Sequence, residues 1–439
     1  MAEKAAASAD PISTMNKGGM RAWQWLAVGM TVALNALDGF DVLSISFASP
    51  GIAKEWGVDQ GTLGWVLSME LLGMAVGSVL LGGIADKFGR RPTIIGCLIA
   101  MTIGMWFAGK ADSVSELLLW RLVTGLGIGG MLAAINATAA EFSNNRWRSV
   151  AMSLMVIGYP IGGVAGGLVV QQLLADGGWR DVFSFGAYAT GACIPLVWFL
   201  IPETPAFLDR KRPPGALEKI NKIFSRFGHA AVSEFSVETE ETAKRSVADI
   251  FKPALIATTV LITLAYFAHI TSFYFIIKWI PKIVVDMGFE PRAAAGVLTW
   301  ANVGGALGGA AFGFIAMRVG LKRLTIITLL IASVLIMLFG RGTDDLTKLA
   351  AIVAVVGFFT NSAIVGLYTL FAKVFPTHVR ATGTGFAIGV GRGGAALAPV
   401  LAGYLFLAGY GLQTVAIFMG SGSLLAAIAL FFLKERAAD

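Results

Sequence analysis

Asp38 and Asp41 stand three residues apart in Asp38-Gly39-Phe40-Asp41, inside the first long apolar run of the chain. On a helix that spacing is about 300° of rotation, so both carboxylates share a face. Two close carboxylates in a low-dielectric cavity do not readily ionise together, which is the property a proton-coupling site needs. The competing role is that one of them only caps or orients a neighbouring helix. Glu70, in Ser68-Met69-Glu70-Leu71, is a third carboxylate among apolar residues, suited to relaying a proton or balancing an arginine. Arg121 and Arg392 are the two arginines placed inside apolar runs. A guanidinium is a planar fork that takes a carboxylate bidentately, so each can anchor an anionic cargo or pair with a helix carboxylate. Gly391, Gly393 and Gly394 leave room around Arg392. His269 completes the ionisable set. A histidine in a cavity can carry a proton or donate to a phenolic hydroxyl, and a satisfied structural role is equally open to it.

Asn302 and Tyr368, with Tyr266, Phe273, Tyr274, Trp300 and Asn361, supply amides and rings of the kind that wall a small-molecule pocket. Each of them alone is as well explained by packing or lipid contact. Two cysteines, Cys97 and Cys193, and three histidines offer no metal-ligand spacing and no expected disulfide. There is no phosphate-binding loop to use ATP and no cofactor motif. A proton gradient is therefore the expected driving force, with no cofactor, and an enzymatic role is not expected.

The elements that must hold these residues are membrane helices. Of the 439 residues, 56% are hydrophobic and 14% charged, with a mean hydropathy of +0.74. A soluble domain carries about 25% charged residues. Runs of roughly 20 apolar residues, enough to cross a bilayer, recur along the chain. The expected spans are 23–47, 63–84, 93–108, 117–140, 150–173 and 182–200, then six more beginning near 254, 294, 324, 349, 383 and 413. The fold expected is all-α, with twelve transmembrane helices in two six-helix halves (23–202 and 253–433). A polar central segment (203–252) joins the halves, and tails at 1–22 and 434–439 flank them. The first residues lack the short apolar core of a signal peptide.

Lys and Arg in the loops set orientation. With the N-terminus inside, 24 of the 34 fall in inner segments and eight in outer ones, Lys278 and Lys282 among the eight; Arg121 and Arg392 lie in spans. Both termini are thus expected in the cytosol. The net charge of +7 reads as a topology signal rather than a nucleic-acid footprint. An internal repeat supports two halves. The segment Gly82 to Arg91 aligns with Gly313 to Lys322 at an offset of 231, and Glu141 to Arg148 with Lys373 to Arg380 at 232. In such parallel repeats the substrate site lies near the midplane between the halves. Gly125, Gly127, Gly129 and Gly130, and Gly158, Gly162, Gly163, Gly166 and Gly167, form small-residue faces for close helix packing.

These motifs resemble the major facilitator superfamily over the whole chain. Gly82, Asp86, Lys87, Gly89, Arg90 and Arg91 fit its G-x-x-x-D-[RK]-x-G-R-R loop; the second copy departs at Met317 and Leu321. Arg121, Gly125 and Gly127 resemble the fourth-helix R-x-x-x-G-x-G motif. Pro202-Glu203-Thr204-Pro205 resembles the P-E-S-P element, and Phe375-Pro376-Thr377 with Arg380 and Gly383 the F-P-T-x-x-R-x-x-G segment. Within the superfamily, Asp38-Gly-Phe-Asp41 and the arginine in helix eleven resemble the aromatic acid:proton symporters, which import benzoate-type acids such as 4-hydroxybenzoate and protocatechuate. The resemblance implies uptake of an aromatic carboxylate with protons by a monomer in a bacterial inner membrane. It also implies that Gly82, Asp86, Gly89, Arg90 and Arg91 form a latch that tunes conformational switching. Other cargoes (an aliphatic acid, a sugar, an exported drug) and an added chemosensory role remain open at this point.

Overall fold

The computed structural model describes residues 10–236, 247–376 and 379–433. Residues 1–9 and 434–439 of the expected tails, 237–246 of the central segment, and Thr377 and His378 lie outside the described residues.

A short α1 (Pro11–Lys17) precedes six long helices: α2 (Ala22–Trp56), α3 (Gln60–Phe88), α4 (Arg90–Ala108), α5 (Val114–Glu141), α6 (Arg148–Asp176) and α7 (Trp179–Leu200). Two shorter helices, α8 (Pro205–Lys211) and α9 (Ala216–Phe227), lie in the central segment. Six long helices follow: α10 (Ile256–Asp286), α11 (Pro291–Val319), α12 (Leu321–Phe339), α13 (Leu346–Val374), α14 (Arg380–Leu407) and α15 (Leu412–Phe432). Twelve of these are long and apolar enough to cross a membrane. In hydrocarbon every backbone N–H and C=O must be satisfied within the protein, and a helix does so within one segment. Polar side chains start the helices where the apolar pattern begins: Asp59 Oδ1 accepts from Thr62 N at 2.8 Å, and Asp345 Oδ1 from Thr347 N at 2.9 Å.

The repeat seen in the sequence is a repeat of structure. Helices α3 and α11 both have 29 residues, and α4 and α12 both have 19. The two sharp connections both turn on a glycine with positive φ, Gly89 at 115° and Gly320 at 89°. At Gly89 a Cβ would also lie 2.1 Å from the Glu203 carboxylate, so any larger residue must displace that carboxylate.

Two helices run further than the apolar pattern alone predicts. Helix α2 continues through Pro50 to Trp56, and α10 through Pro281 to Asp286. Neighbouring helices can satisfy the carbonyl that a proline leaves free in a spanning helix. The consequence for α10 is a correction: Lys278 and Lys282 lie within it rather than in a loop, and Lys278 is fully buried. The residues before α2 are also more ordered than a tail. Met15 of α1 is buried, Arg148 Nη2 donates to Asn16 Oδ1 at 2.6 Å, and Asn144 Nδ2 donates to Gly18 O at 2.7 Å. The amphipathic α9 buries Ile220, Ile223, Phe224 and Phe227 under the same half, with the Phe227 ring 5.5 Å from Phe142.

Six spans precede α8 and six follow α9, so both chain ends lie on one face of the bundle, the terminal face; the other is the distal face. The halves meet through α3 against α14 and α6 against α11, with α2 beside α10. Glycine permits the close approach: a Cβ on Gly64 would sit 2.6 Å from Pro399 O, and one on Gly403 2.4 Å from Gln60 O. These contacts, the Trp65–Tyr404 hydrogen bond (3.3 Å) and the Gln171–Thr299 contact (3.5 Å) all lie toward the distal ends of their helices. Among the described residues, the polar contact between halves nearest the terminal face is at mid-helix, from Arg392 Nη1 to Met74 O at 3.0 Å. Beyond it, Val79 of α3 and Phe314 and Met317 of α11 are more than 70% exposed. The halves are therefore joined distally and parted toward the terminal face. The small-residue faces read from the sequence act both within the first half, where Gly125 abuts Glu70 O and Gly162 abuts Ala36 O, and between the halves, where Gly163 faces Asn302 and Gly167 faces Thr299.

Candidate functional site

Asp38 and Asp41 are buried near the middle of α2 and are electrostatic neighbours of each other, in keeping with the shared face that their spacing predicts. Neither oxygen of Asp38 has a hydrogen-bond partner. Its charged neighbours are Asp41, Glu70 and Arg392. Asp41 Oδ1 is also unpartnered, and Oδ2 has only Thr190 Oγ1 at 3.5 Å. A buried carboxylate without hydrogen bonds is costly when charged and much less so when protonated. This is the chemistry of a proton carrier.

Arg121 and Glu70 pair with each other. Arg121 Nη2 lies 2.5 Å from Glu70 Oε2, with both side chains fully buried. The same guanidinium donates to the Asp41 carbonyl oxygen (3.0 Å), reaches Met105 Sδ (3.0 Å), and lies over the Phe183 ring at 5.2 Å. Arg121 is thus engaged within the first half, and the expectation that it binds substrate finds no free donor fork in this conformation. Glu70 is a paired carboxylate, not a free one. It also meets Lys278 Nζ at 3.5 Å, and that ammonium donates in addition to Val42 O. Lys278 was missed by sequence reasoning because its span was ended too early. Its signal was the apolar run Ile276-Ile277-Lys278-Trp279-Ile280, which continues the span past the lysine.

Arg392 differs from Arg121. It is partly buried, carries no carboxylate partner among the described residues, and its one hydrogen bond there is to Met74 O. It sits at the top of the gap between the halves. Tyrosines surround it. The Tyr266 ring packs on Gly391, where a Cβ would lie 2.1 Å away. The Tyr266 and Tyr368 hydroxyls are 2.9 Å apart, with ring centroids at 5.6 Å. Tyr274 and Tyr266 both lie within electrostatic range of Arg392, and Tyr274 faces Tyr159 of the other half. Tyr368 is 42% exposed, so its ring borders open space.

His269 and Asn302 are placed elsewhere. His269 is fully buried with both ring nitrogens engaged: Nε2 donates to Thr360 O and Nδ1 accepts from Ser423 Oγ, each at 2.9 Å. It fastens α10 to α13 and α15 and has no nitrogen left for a substrate. Asn302 donates to Leu298 O at 2.9 Å and seats its Oδ1 against Gly163, in the seam between α6 and α11. An apolar cavity of about 370 Å³ between α4 and α7, lined by Thr102, Trp106, Phe107 and Tyr188, holds none of these residues.

The residues of the expected latch meet on the terminal face, within the first half and the adjoining Glu203 and Arg210 of the central segment. Arg90 pairs with Asp86 (2.9 Å) and Glu141 (2.8 Å) and donates to Ala85 O (2.9 Å). Glu203 accepts from the backbone N–H groups of Arg90 (2.9 Å) and Arg91 (3.3 Å), capping α4. Burial holds the Glu203 carboxyl above its usual range, against the opposing pull of these backbone bonds. Arg91 reaches Trp198 O at 2.5 Å. Asp86 is 67% exposed, and its described partners are Arg90 and the more distant Arg210 (3.7 Å), consistent with halves parted on this face. Gly82 is different in kind: its nearest neighbour beyond a would-be Cβ is Ala133 at 3.7 Å, so packing alone does not require glycine there.

Twelve spans in two equivalent halves, with buried carboxylates and an arginine that has no carboxylate in hydrogen-bond reach among the described residues, make the architecture of a membrane transporter. The chain belongs to the Major Facilitator Superfamily, whose family model matches residues 31–339 and 262–439. Within it, the chain is similar to transporters of aromatic acids rather than to enzymes. It is 30% identical over 397 residues to the 4-hydroxybenzoate transporter PcaK of Pseudomonas putida, covering 89% of this chain and 88% of that one. It is 28% identical over 412 residues to a gallate transporter of the same species, covering 93% and 91%. Among solved structures, the D-xylose-proton symporter shares the fold with a TM-score of 0.74 at 16% identity, covering 94% of this chain and 98% of that chain.

Proposed function

We propose that the chain imports an aromatic carboxylate of the 4-hydroxybenzoate or protocatechuate type together with protons. It does so as a monomer in a bacterial inner membrane, with the terminal face in the cytosol. The observation that carries this reading is Arg392, which lies between the halves at mid-helix with a tyrosine cluster and, among the described residues, no carboxylate in hydrogen-bond reach. A guanidinium so placed takes a carboxylate bidentately, and the rings of Tyr266, Tyr274 and Tyr368 offer surfaces for an aromatic body. Asp38, buried and without hydrogen bonds, is the proton carrier in this scheme, with Asp41 beside it. The Arg121–Glu70 pair fixes the geometry of the first half around them. Relatives whose names specify 4-hydroxybenzoate and gallate support the cargo class.

Uptake of labelled 4-hydroxybenzoate, protocatechuate, an aliphatic dicarboxylate and xylose into proteoliposomes under an inward proton gradient tests the reading. Uptake confined to the aromatic acids and lost with a protonophore is expected. Gradient-driven uptake of xylose or the dicarboxylate alone would refute it.

A further inference from the structure

We infer that Lys278 is the gate charge of the transport cycle: its ammonium binds Glu70 and the Val42 carbonyl across the halves and holds the distal side closed. Lys278 belongs to α10 of the second half; Val42 and Glu70 belong to α2 and α3 of the first. Both members of the Lys278–Glu70 pair are fully buried, 3.5 Å apart, in the distal part of their helices. Glu70 is held in turn by Arg121 of α5, and Arg121 by the Asp41 carbonyl. Four helices from two halves therefore meet in one charged knot beside the carboxylate pair of α2.

The two members of the pair fare differently when the halves part distally. Glu70 keeps Arg121, because that contact is internal to the first half. Lys278 loses both acceptors at once. A buried ammonium needs compensation, and this one finds it from protein only in the distally closed state. A ligand or contact that differs between two states shifts their populations by that difference. In the distally open state, water or an arriving anion takes the place of Glu70. The inference rests on the alternating movement of the halves and not on the identity of the cargo, so its test needs no aromatic acid.

Spin labels report the populations. One pair, at Lys54→Cys and Ala408→Cys, spans the halves on the distal face; another, at Lys87→Cys and Arg318→Cys, spans them on the terminal face. Both are made with Cys97→Ala and Cys193→Ala. Pulsed electron–electron distances in nanodiscs should show Lys278→Met raising the distally open population on the order of tenfold, a usual coupling between linked sites. Lys278→Arg should stay near the parent. Distance distributions unchanged by Lys278→Met would overturn the inference. The unmutated chain gives a second reading that does not depend on the variant folding. A membrane-impermeant amine reagent added from the distal side should modify Lys278 slowly, after Lys54, as the halves open. Lys278 left unmodified through prolonged incubation, with Lys54 fully modified, would overturn it as well.

Discussion

Arg121 and Glu70 meet at 2.5 Å with neither side chain exposed, and the pair removes one of two intramembrane arginines from the set available to an anion. Glu70→Gln leaves the Arg121 guanidinium and the Lys278 ammonium both short of their counter-charge. Breaking a buried pair from one side costs about 3–5 kcal/mol. Thermal unfolding in detergent should show a loss of that order. A Glu70→Gln protein as stable as the parent would mean that the pair contributes little.

Arg392 should behave in the opposite way. Among the described residues no carboxylate is hydrogen-bonded to it and Asp38 is only an electrostatic neighbour, so Arg392→Ala should cost much less thermal stability than Glu70→Gln. A hydrogen bond to a charged group contributes about 1.5–3 kcal/mol, so substrate affinity should fall roughly 10- to 100-fold. Arg392→Lys should recover part of it, since an ammonium keeps the charge and loses the fork. Equilibrium binding of 4-hydroxybenzoate, measured by calorimetry, checks both.

His269→Ala should separate structure from recognition. Both ring nitrogens are engaged within the second half, and their loss leaves the Thr360 carbonyl without its buried donor. The expected result is a stability loss of about 1–3 kcal/mol with the KM for uptake unchanged. A large rise in KM at unchanged stability would place His269 in the substrate path instead.

The two repeat glycines offer a matched comparison. Gly89→Ala meets both an unfavourable backbone conformation and the Glu203 carboxylate, whereas Gly320→Ala meets the backbone conformation alone, with open space where its Cβ would stand. Each carries about 1–3 kcal/mol of backbone strain, and only Gly89→Ala should also disturb the cap on α4. Unfolding curves should therefore rank Gly89→Ala as the more destabilising, and its transport rate should fall further.

Much of this arrangement is written locally in the chain. The spans follow from apolar runs, the halves from an offset that recurs in two loops, and the shared face of Asp38 and Asp41 from helical spacing. What is not local was not legible. Whether an intramembrane charge is free or paired depends on which helices become neighbours; the glycines beside Arg392 signal room around it, but nothing flanking Arg121 names Glu70 as its partner. His269 aligns with Asp38 in the repeat yet faces α13 and α15, because equivalent positions in two halves need not keep equivalent partners. Lys278 was lost to a boundary: Pro281 and the lysines around it mimic a loop, and only the packing of α10 shows the helix continuing.

The most direct test of the central claim follows protons and substrate together. Proteoliposomes loaded with a pH-sensitive dye are given external 4-hydroxybenzoate without an imposed gradient, and protein-free liposomes set the rate of passive permeation of the acid. The account predicts internal acidification well above that passive rate, lost in Arg392→Ala and in Asp38→Asn. Rapid uptake of labelled 4-hydroxybenzoate with acidification no faster than in protein-free liposomes would contradict it.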